Sequence, residues 1–487
     1  MANLSQRTTQ ATLWSAIEIA SRYGFQLVVT IVLAHLLSPG DFGLIAMLLV
    51  FTSLGAVLMD AGFGTALIQR QETSEDDETT VFIFNVCAGL LGGGILWISA
   101  HGIAAFYHQR ELEQLTCAIA WVLPLSALGA VPDALLTQKL EFRARAKAQI
   151  VSSVVSGLVA VVAAFKGFGV WSLVIQALIA SGLRTACLWV FSRWRPSGHF
   201  NTRSFKQLFG FGGFMLLSGL LNTVSVRLQS LLIGKFFDSG TLGYYSLAQN
   251  TTSAPTSLIG ALLSRVGLPV FSKLADDKQR LREALRTSLG VSMFVFVPCM
   301  VGLAIVARPL INSVYGMRWE SASPIVSLLA LGGALWPLHV LNLAALSAQG
   351  HSNRFFYLEI LKNIITVIAT IASVAFGTIA VAGAMLIVGL CGVAVNTWYT
   401  HRMLNYGMLA QLKDQRATFL LALIAALPAW AILHWTMSSV PMTVLAVLVA
   451  TLVYVGLAAS LRIPAWVQLL ALIRDMTQLT PTNNATD

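Results

Sequence analysis

LAHLLSPGDFGLIAM, Leu33 to Met47, closes one apolar run, turns within a few residues and opens another. This stretch decides the fold because it occurs twice. IGKFFDSGTLGYYSL, Ile233 to Leu247, stands two hundred residues later, with Gly40 over Gly240, Gly43 over Gly243 and Leu36-Leu37 over Phe236-Phe237. The same offset pairs Thr52-Ser53 with Thr252-Ser253, Leu58 with Leu258 and Ala61 with Ala261, so the chain carries an internal duplication. In the first turn Ser38 is placed to cap the next helix, Pro39 sits where a missing N–H costs nothing, and Asp41 completes a Ser-x-x-Asp box against the positive helix end. Asp238-Ser239-Gly240-Thr241 offers similar chemistry in the second copy. Both copies read as tight helical hairpins.

With 56% apolar and 11% charged residues over 487 positions, the chain lacks the polar surface of a soluble protein of its length. Apolar runs of about 20 residues, the length that crosses a hydrocarbon core as helix, fill it almost completely. The expected spans are 12-37, 42-69, 79-106, 115-137, 149-165, 168-192, 208-234, 241-271, 288-308, 323-348, 358-376, 378-400, 417-437 and 440-461. The expected fold class is therefore an all-α polytopic membrane protein of about 14 transmembrane helices. Met1 to Gln10 holds one basic residue and no convincing cleavage site follows, so the first helix is expected to stay.

Lys and Arg collect on the cytoplasmic side of such proteins. With the N-terminus inside, the inner segments hold 21 of the 31 basic residues, the outer segments five and the helices five, which predicts both termini in the cytoplasm. The net charge of +10 is thus mainly a topology signal, and no nucleic-acid module accompanies it. Cys87, Cys117, Cys187, Cys299 and Cys391 fall inside apolar spans without metal spacing and read as small core residues.

Charges inside spans are costly and face a cavity or a partner. Glu18 and Arg22 share a face of the first helix, four residues apart, where they can pair. Arg184, Arg227 and Arg265 lie on helices 6, 7 and 8, and Glu359 and Lys362 on helix 11. The run Glu72, Glu75, Asp76, Asp77, Glu78 reads as a solvated inner loop. Leu274, Leu281 and Leu285 share a face opposite Lys278, Arg280 and Arg282, the pattern of a short helix lying on the membrane. Gly89 and Gly92 to Gly94 read as close helix packing, since no strand precedes them and no Lys-Ser/Thr follows. Pro124, Pro132, Pro255, Pro298 and Pro337 are expected to interrupt helices.

Six helices separate the starts of the two copies, so both enter the membrane in the same direction. They are parallel repeats, an arrangement that places a substrate path between halves. The expected domains are 1-207, an N-terminal six-helix bundle; 208-404, a C-terminal six-helix bundle; and 405-487, two further helices and a cytoplasmic tail.

LLSPGDFGLIAM at 36-47, DAGFGTALIQR at 60-70, QKLEFRARAKA at 138-148, GFGVWSLV at 167-174 and LLIGKFFDSGTLGYYSLA at 231-248 together identify a family. The chain resembles the Wzx-type oligosaccharide flippases of the multidrug/oligosaccharidyl-lipid/polysaccharide exporter superfamily over nearly its whole length. It is nearest the branch that exports colanic-acid-type repeat units. The resemblance implies two six-helix bundles in a V plus two C-terminal helices in the bacterial inner membrane. It also implies movement of undecaprenyl-diphosphate-linked oligosaccharide from the cytoplasmic to the periplasmic face, for capsule, exopolysaccharide or O-antigen synthesis. The implied partners are the lipid-linked oligosaccharide, membrane lipids, a coupling sodium ion or proton, and the polymerase and glycosyltransferases of the same pathway, with no cofactor and no catalysis. The family's cationic cavity is matched by Arg22, Arg227 and Arg265, with Glu18 beside Arg22. Relatives often carry an acid just before LLIG, where this chain has Gln229.

Two other readings compete. A cation-coupled multidrug exporter of the same fold would prefer acidic and aromatic groups for a cationic substrate, whereas Arg outnumbers acid in these helices. A membrane glycosyltransferase or polymerase would be expected to carry a substantial outer domain with carboxylates, and the outer connections here are short.

Overall fold

A computed structural model describes residues 24–60, 62–69, 73–350, 352–435 and 439–478. Every regular element among them is helical, with no strand. Twelve helices among the described residues are long and apolar enough to cross a membrane. The two remaining expected spans coincide with α1 (Gly24–Leu36) and α11 (Ser239–Lys273), each described only in part. Leu90, Leu91, Ile95 and Ile98 stand exposed on one spanning helix, a surface suited to lipid. The chain divides into two units, Met1–Leu247 and Ala248–Asp487.

The first unit runs from α1 through α2 (Pro39–Asp60), α3 (Phe63–Gln69), α4 (Glu75–Ile98), α5 (Ala100–Tyr107), α6 (Glu111–Ile119), α7 (Val122–Gln138), α8 (Phe142–Phe165), α9 (Trp171–Ser192) and α10 (Thr202–Phe236) to the start of α11. The expected second, third and fourth spans are thus each broken into two helices. In the fourth the break at Ala120 and Trp121 precedes Pro124, which cannot donate to the carbonyl of Ala120. Pro132 lies inside α7 without breaking it. The glycine-rich face of α4 packs closely, as expected: a Cβ on Gly89 would stand 2.7 Å from that of Ala127, and one on Gly93 3.0 Å from the Ala120 carbonyl oxygen.

The repeated turns are built alike and touch each other. Ser38 N–H donates to Asp41 Oδ2 at 2.8 Å and Asp41 N–H to Ser38 Oγ at 3.2 Å, the expected capping box. In the second copy the acid stands at the cap: Thr241 N–H donates to Asp238 Oδ2 at 3.2 Å, and its hydroxyl to Asp238 Oδ1. The Thr241 hydroxyl, ahead of the backbone donors, holds the Asp238 carboxyl below the usual carboxylate range. A Cβ on Gly43 would lie 1.7 Å from the carbonyl oxygen of Ser239, and one on Gly243 would lie 1.9 Å from that of Pro39. Each glycine therefore admits the backbone of the opposite copy, two hundred residues away, and the contact is reciprocal.

The acidic run is not a solvated loop over its described part. Ser74 and Asp77 form a capping box at the start of α4, and the segment between α9 and α10 docks on that first turn. Trp194 Nε1 donates to Glu78 at 2.6 Å, Ser197 Oγ to Glu75 at 2.9 Å, His199 N–H to Asp76 at 2.8 Å and Asn201 N–H to Thr80 Oγ1 at 2.9 Å. Phe63, Leu67, Val81, Val131, Leu135 and Leu208 form the buried core beneath it.

The second unit holds the rest of α11, then α12 (Lys278–Val314), a 3-10 turn (Met317–Ala322), α13 (Ser323–Gly333), α14 (Trp336–Ala348), α15 (Ser352–Val374), α16 (Thr378–Leu404), α17 (Met408–Trp435), α18 (Val440–Ser460) and α19 (Pro464–Gln478). The expected surface face is instead split: Leu274 lies in a turn, partly buried, and Leu281 and Leu285 at the beginning of α12 are fully buried in a core shared with α14, α17 and α18. Pro298 and Pro255 lie within continuous helices, whereas Pro337 opens α14 after a break at Ala334 and Leu335. The helices outside the duplication are tied into this core. Asn342 and Gln411 exchange amide hydrogen bonds of 2.9 Å between α14 and α17, and Tyr454 of α18 donates to the Phe294 carbonyl at 2.8 Å. The tail adds α19, whose Trp466 lies 6.0 Å from Phe294. All five cysteines are free, and Cys87, Cys299 and Cys391 stand exposed on spanning helices rather than in the core.

Candidate functional site

Of the four residues singled out in the sequence, Arg227 is fully described. Glu18 and Arg22 lie outside the described residues, as does the side chain of Arg265 on α11. Arg227 sits half-buried on α10, between the buried Ser225 and Gln229. Ser225 Oγ turns back to the Leu221 carbonyl at 2.9 Å, and Gln229 Oε1 accepts from Tyr245 OH at 2.7 Å. Gln229, which stands where relatives often carry an acid, is therefore engaged by α11 rather than paired with Arg227. Among the described residues no carboxylate lies within ion-pair distance of Arg227. A guanidinium on a spanning helix is expensive to leave bare, so Arg227 calls for a polar or anionic partner.

Among the described residues, the two other basic groups expected inside spans, Arg184 and Lys362, are paired. In the first unit Asp133 of α7 takes Arg145 of α8 at 2.8 Å and Arg184 of α9 at 3.2 Å, a bridge across three helices. It faces a cavity of about 440 Å3 that is also lined by Asp60, Ser126 and Ser181. Asp60 closes α2 and accepts from the Gly64 N–H at 3.3 Å across the break to α3. Two carboxylates thus stand with two guanidiniums, and the cavity is formally balanced.

In the second unit a cavity of about 610 Å3 is lined by Trp336, His339, Glu359, Lys362 and Thr366. Glu359 and Lys362 form an ion pair one turn apart on α15. His339 Nε2 lies 3.1 Å from the Gly389 carbonyl and its Nδ1 3.3 Å from Asn396 Nδ2. A neutral ring protonated on Nε2 satisfies both contacts, donating to the carbonyl and accepting from the amide. Gly392 makes room, since a Cβ there would stand 2.7 Å from His339 Cε1. This cavity is also balanced, and it presents neutral and paired polar groups. Among the described residues no cluster of His, Cys, Asp and Glu could hold a metal ion.

The sequence marks Arg184, Glu359 and Lys362 as intramembrane charges but does not bring Asp133, Asp60 or His339 to them. Asp133 and Arg184 are 51 residues apart, and only the packing of α7 on α9 joins them. The one local signal is Glu359 and Lys362, three residues apart on a helix.

Comparison with known proteins gives a consistent family. Residues 32–324 match the family model described as "Polysaccharide biosynthesis protein". Teichuronic acid biosynthesis protein TuaB of Bacillus subtilis (strain 168) is 26% identical over 86% of this chain and 88% of its own. Succinoglycan biosynthesis transport protein ExoT of Rhizobium meliloti (strain 1021) is 27% identical over 90% and 89%. Lipopolysaccharide biosynthesis protein WzxC of Escherichia coli (strain K12) is 28% identical over 68% of each. Among solved structures, lipid II flippase MurJ in an inward closed conformation superposes with a TM-score of 0.76 over 96% of this chain and all of that chain, at 18% identity. An inward-facing MATE multidrug transporter reaches 0.61 over 81% and 98%, at 16% identity. At these identities the structural likeness is one of fold.

Proposed function

This chain belongs to the polysaccharide biosynthesis protein family, as a polytopic Wzx-type flippase of the multidrug/oligosaccharidyl-lipid/polysaccharide exporter superfamily, and on that premise we propose that it carries undecaprenyl-diphosphate-linked oligosaccharide repeat units. The direction is from the cytoplasmic to the periplasmic face of a bacterial inner membrane, with both termini inside. Fourteen helices form two parallel six-helix bundles and a C-terminal pair, with boundaries near residues 207 and 404. Arg22, Arg227 and Arg265 are the residues proposed to meet the diphosphate, with Glu18, four residues before Arg22, in the same substrate-binding set. The carrier's energy comes from a coupling sodium ion or proton, and its product passes to the polymerase of the same pathway.

The observation that carries this reading is Arg227, a half-buried guanidinium on a spanning helix with no carboxylate within ion-pair distance among the described residues, whereas Arg184 and Lys362 are paired. A lipid diphosphate cannot cross hydrocarbon bare, because desolvating it costs many kcal/mol. A planar guanidinium can take two phosphate oxygens at once, in place of the water it loses. The balanced cavities offer no such surplus charge, though the neutral polar lining around His339 suits hydroxyl-rich groups.

The test is polymer export in a deletion strain complemented with wild type, Arg227→Lys or Arg227→Ala at matched membrane abundance. Losing one charge-assisted contact costs about 1.5–3 kcal/mol, so export by Arg227→Ala falls at least tenfold while lipid-linked repeat units accumulate. Arg227→Lys recovers part of it, since a point charge lacks the fork. Normal export by Arg227→Ala at normal abundance ends the proposal for this residue.

A further inference from the structure

The start of α12 is charged against its own dipole. A helix N-terminus carries partial positive charge and favours acids, yet Lys278, Arg280, Arg282 and Arg286 stand in the first three turns of α12. Two of these are held locally: Arg280 by Asp277 at 3.3 Å, and Arg286 by both oxygens of Asp414, at 2.8 and 2.9 Å. Lys278 and Arg282 have no carboxylate within ion-pair distance among the described residues, and neither has Arg402 at the end of α16. These three side chains, with Arg286, Gln279, Glu283 and Asn405, line a recess of about 510 Å3. Glu283 is its one lining acid, lying 3.5 Å from the Gln279 amide. Asp277 caps this helix end and the Arg282 guanidinium lies 5.6 Å over the Tyr406 ring. Inner-side topology favours basic residues here, but their convergence on one recess also leaves a cationic pocket that an anion can occupy.

An apolar groove lies one turn further back along α16, linked to the recess by the contact of Arg402 with Trp398. Val395, Trp398 and Arg402 lie at spacings of three and four residues, and the Arg402 guanidinium stacks over the Trp398 ring at 4.0 Å. Trp398, Val395, Tyr357 and Leu361 line a groove of about 450 Å3 between α15 and α16. Farther along α15, Ile364, Ile368 and Ile371 are exposed in line with it. A cationic recess joined through an aromatic residue to an apolar track has the polarity of a phospholipid, head to tail.

We propose that this end of the second unit holds an anionic phospholipid, with its phosphate among Lys278, Arg282 and Arg402 and an acyl chain along the groove between α15 and α16. The basic residues put this end on the cytoplasmic side, where anionic headgroups attract such clusters. None of these residues belongs to the proposed substrate site, so the lipid acts as a bound neighbour of the carrier rather than as its cargo.

The full chain, purified in detergent, is offered phosphatidylglycerol or phosphatidylethanolamine with matched chains, and retained lipid is counted by native mass spectrometry. Wild type retains phosphatidylglycerol in preference to phosphatidylethanolamine. A basic residue at an anionic surface contributes about 1 kcal/mol, so R282Q/R402Q binds phosphatidylglycerol about thirtyfold more weakly with its melting curve unchanged. R282K/R402K keeps most of the affinity, and Trp398→Ala loses part of it through the groove. Should R282Q/R402Q fail to fold, Lys278→Gln serves instead, with about a fivefold loss expected. Unchanged retention by the charge-removing variants, or equal retention of the two lipids by wild type, overturns the proposal. Full displacement by millimolar inorganic phosphate together with normal binding by Trp398→Ala also overturns it, since the recess would then be a phosphate site without a lipid.

Discussion

Gly43→Ala should be among the most damaging single-methyl changes in this chain, although alanine is the better helix former. Gly43 lies inside α2 with ordinary helical backbone, so on propensity alone the change stabilises by about 1 kcal/mol. The opposing cost is steric. The new Cβ would stand 1.7 Å from the Ser239 carbonyl oxygen, where real Cβ atoms keep at least 3.0 Å, so the turns must part by about 1.3 Å. The obstacle is backbone, which cannot rotate away as a side-chain tip can. Overpacking of this kind costs about 1–3 kcal/mol and occasionally more, and rigid contact puts the gross cost at or beyond the upper end, leaving a net loss of about 2 kcal/mol. Gly94→Ala on α4 is the control: nothing lies within 4 Å of its Cβ, and it should be neutral or stabilising. Thermal unfolding in detergent, followed by tryptophan fluorescence, separates the two. Because the contact is reciprocal, Gly243→Ala should cost about as much, and the double variant less than the two losses together, since the first methyl has already separated the turns. If Gly43→Ala unfolds with Gly94→Ala, or if the pair is strictly additive, the close reciprocal approach does not exist in solution.

Two further perturbations bear on charge. Asp133→Asn strands Arg145 and Arg184 together; breaking a buried pair costs about 3–5 kcal/mol, and the one-quarter exposure of Asp133 reduces this to ~1–3 kcal/mol, more than Arg184→Gln, which leaves Asp133 with Arg145. Equal melting temperatures for the two variants would refute the bridge. At the second turn, Asp238 has a carboxyl pKa held down in the folded state, so its contribution to stability is present above about pH 4, its unfolded range, and is lost as pH falls through the lower folded value. Wild type and Asp238→Asn should therefore differ in melting temperature at pH 6 and converge at strongly acidic pH, and a constant difference across that range would contradict the assignment.

What can be read from sequence is what sequence holds locally. The two capping turns rest on spacings of three residues, and their duplication on a fixed offset, so both are legible from residue order alone. The close packing of Gly89 and Gly93 is legible because the rival phosphate-loop reading needs neighbours that are missing. Misreadings arise where the partner lies far along the chain. Glu75 to Glu78 resemble a solvated loop because Trp194 to Asn201, which bind them, come about 120 residues later. Leu281 and Leu285 resemble a membrane-surface face because a helix face packed on α17 shows the same period. Prolines divide by context: Pro124 and Pro337 follow breaks, while Pro298 is carried by neighbours inside α12. For the site, chemistry is legible residue by residue, but the Asp133 bridge and the His339 cavity require packing that no periodicity encodes.

The meeting of the two turns also bears on where the chain came from. Gly43 against Ser239 and Gly243 against Pro39 are one contact made twice, with the partners exchanged. That is the arrangement of an isologous interface, the kind formed by two identical subunits about a two-fold axis. A half-length ancestor with a single SPG-type turn could have made it with a second copy of itself, each subunit supplying one glycine and one carbonyl. Fusion of two such genes would keep the interface while allowing each half to diverge, and the halves have diverged: Arg22 and Arg227 occupy positions whose counterparts at the same offset are Asn222 and Leu27. In such an ancestor the contact between the turns is the dimer joint, and fusion frees the residues on either side of it to change singly rather than in pairs.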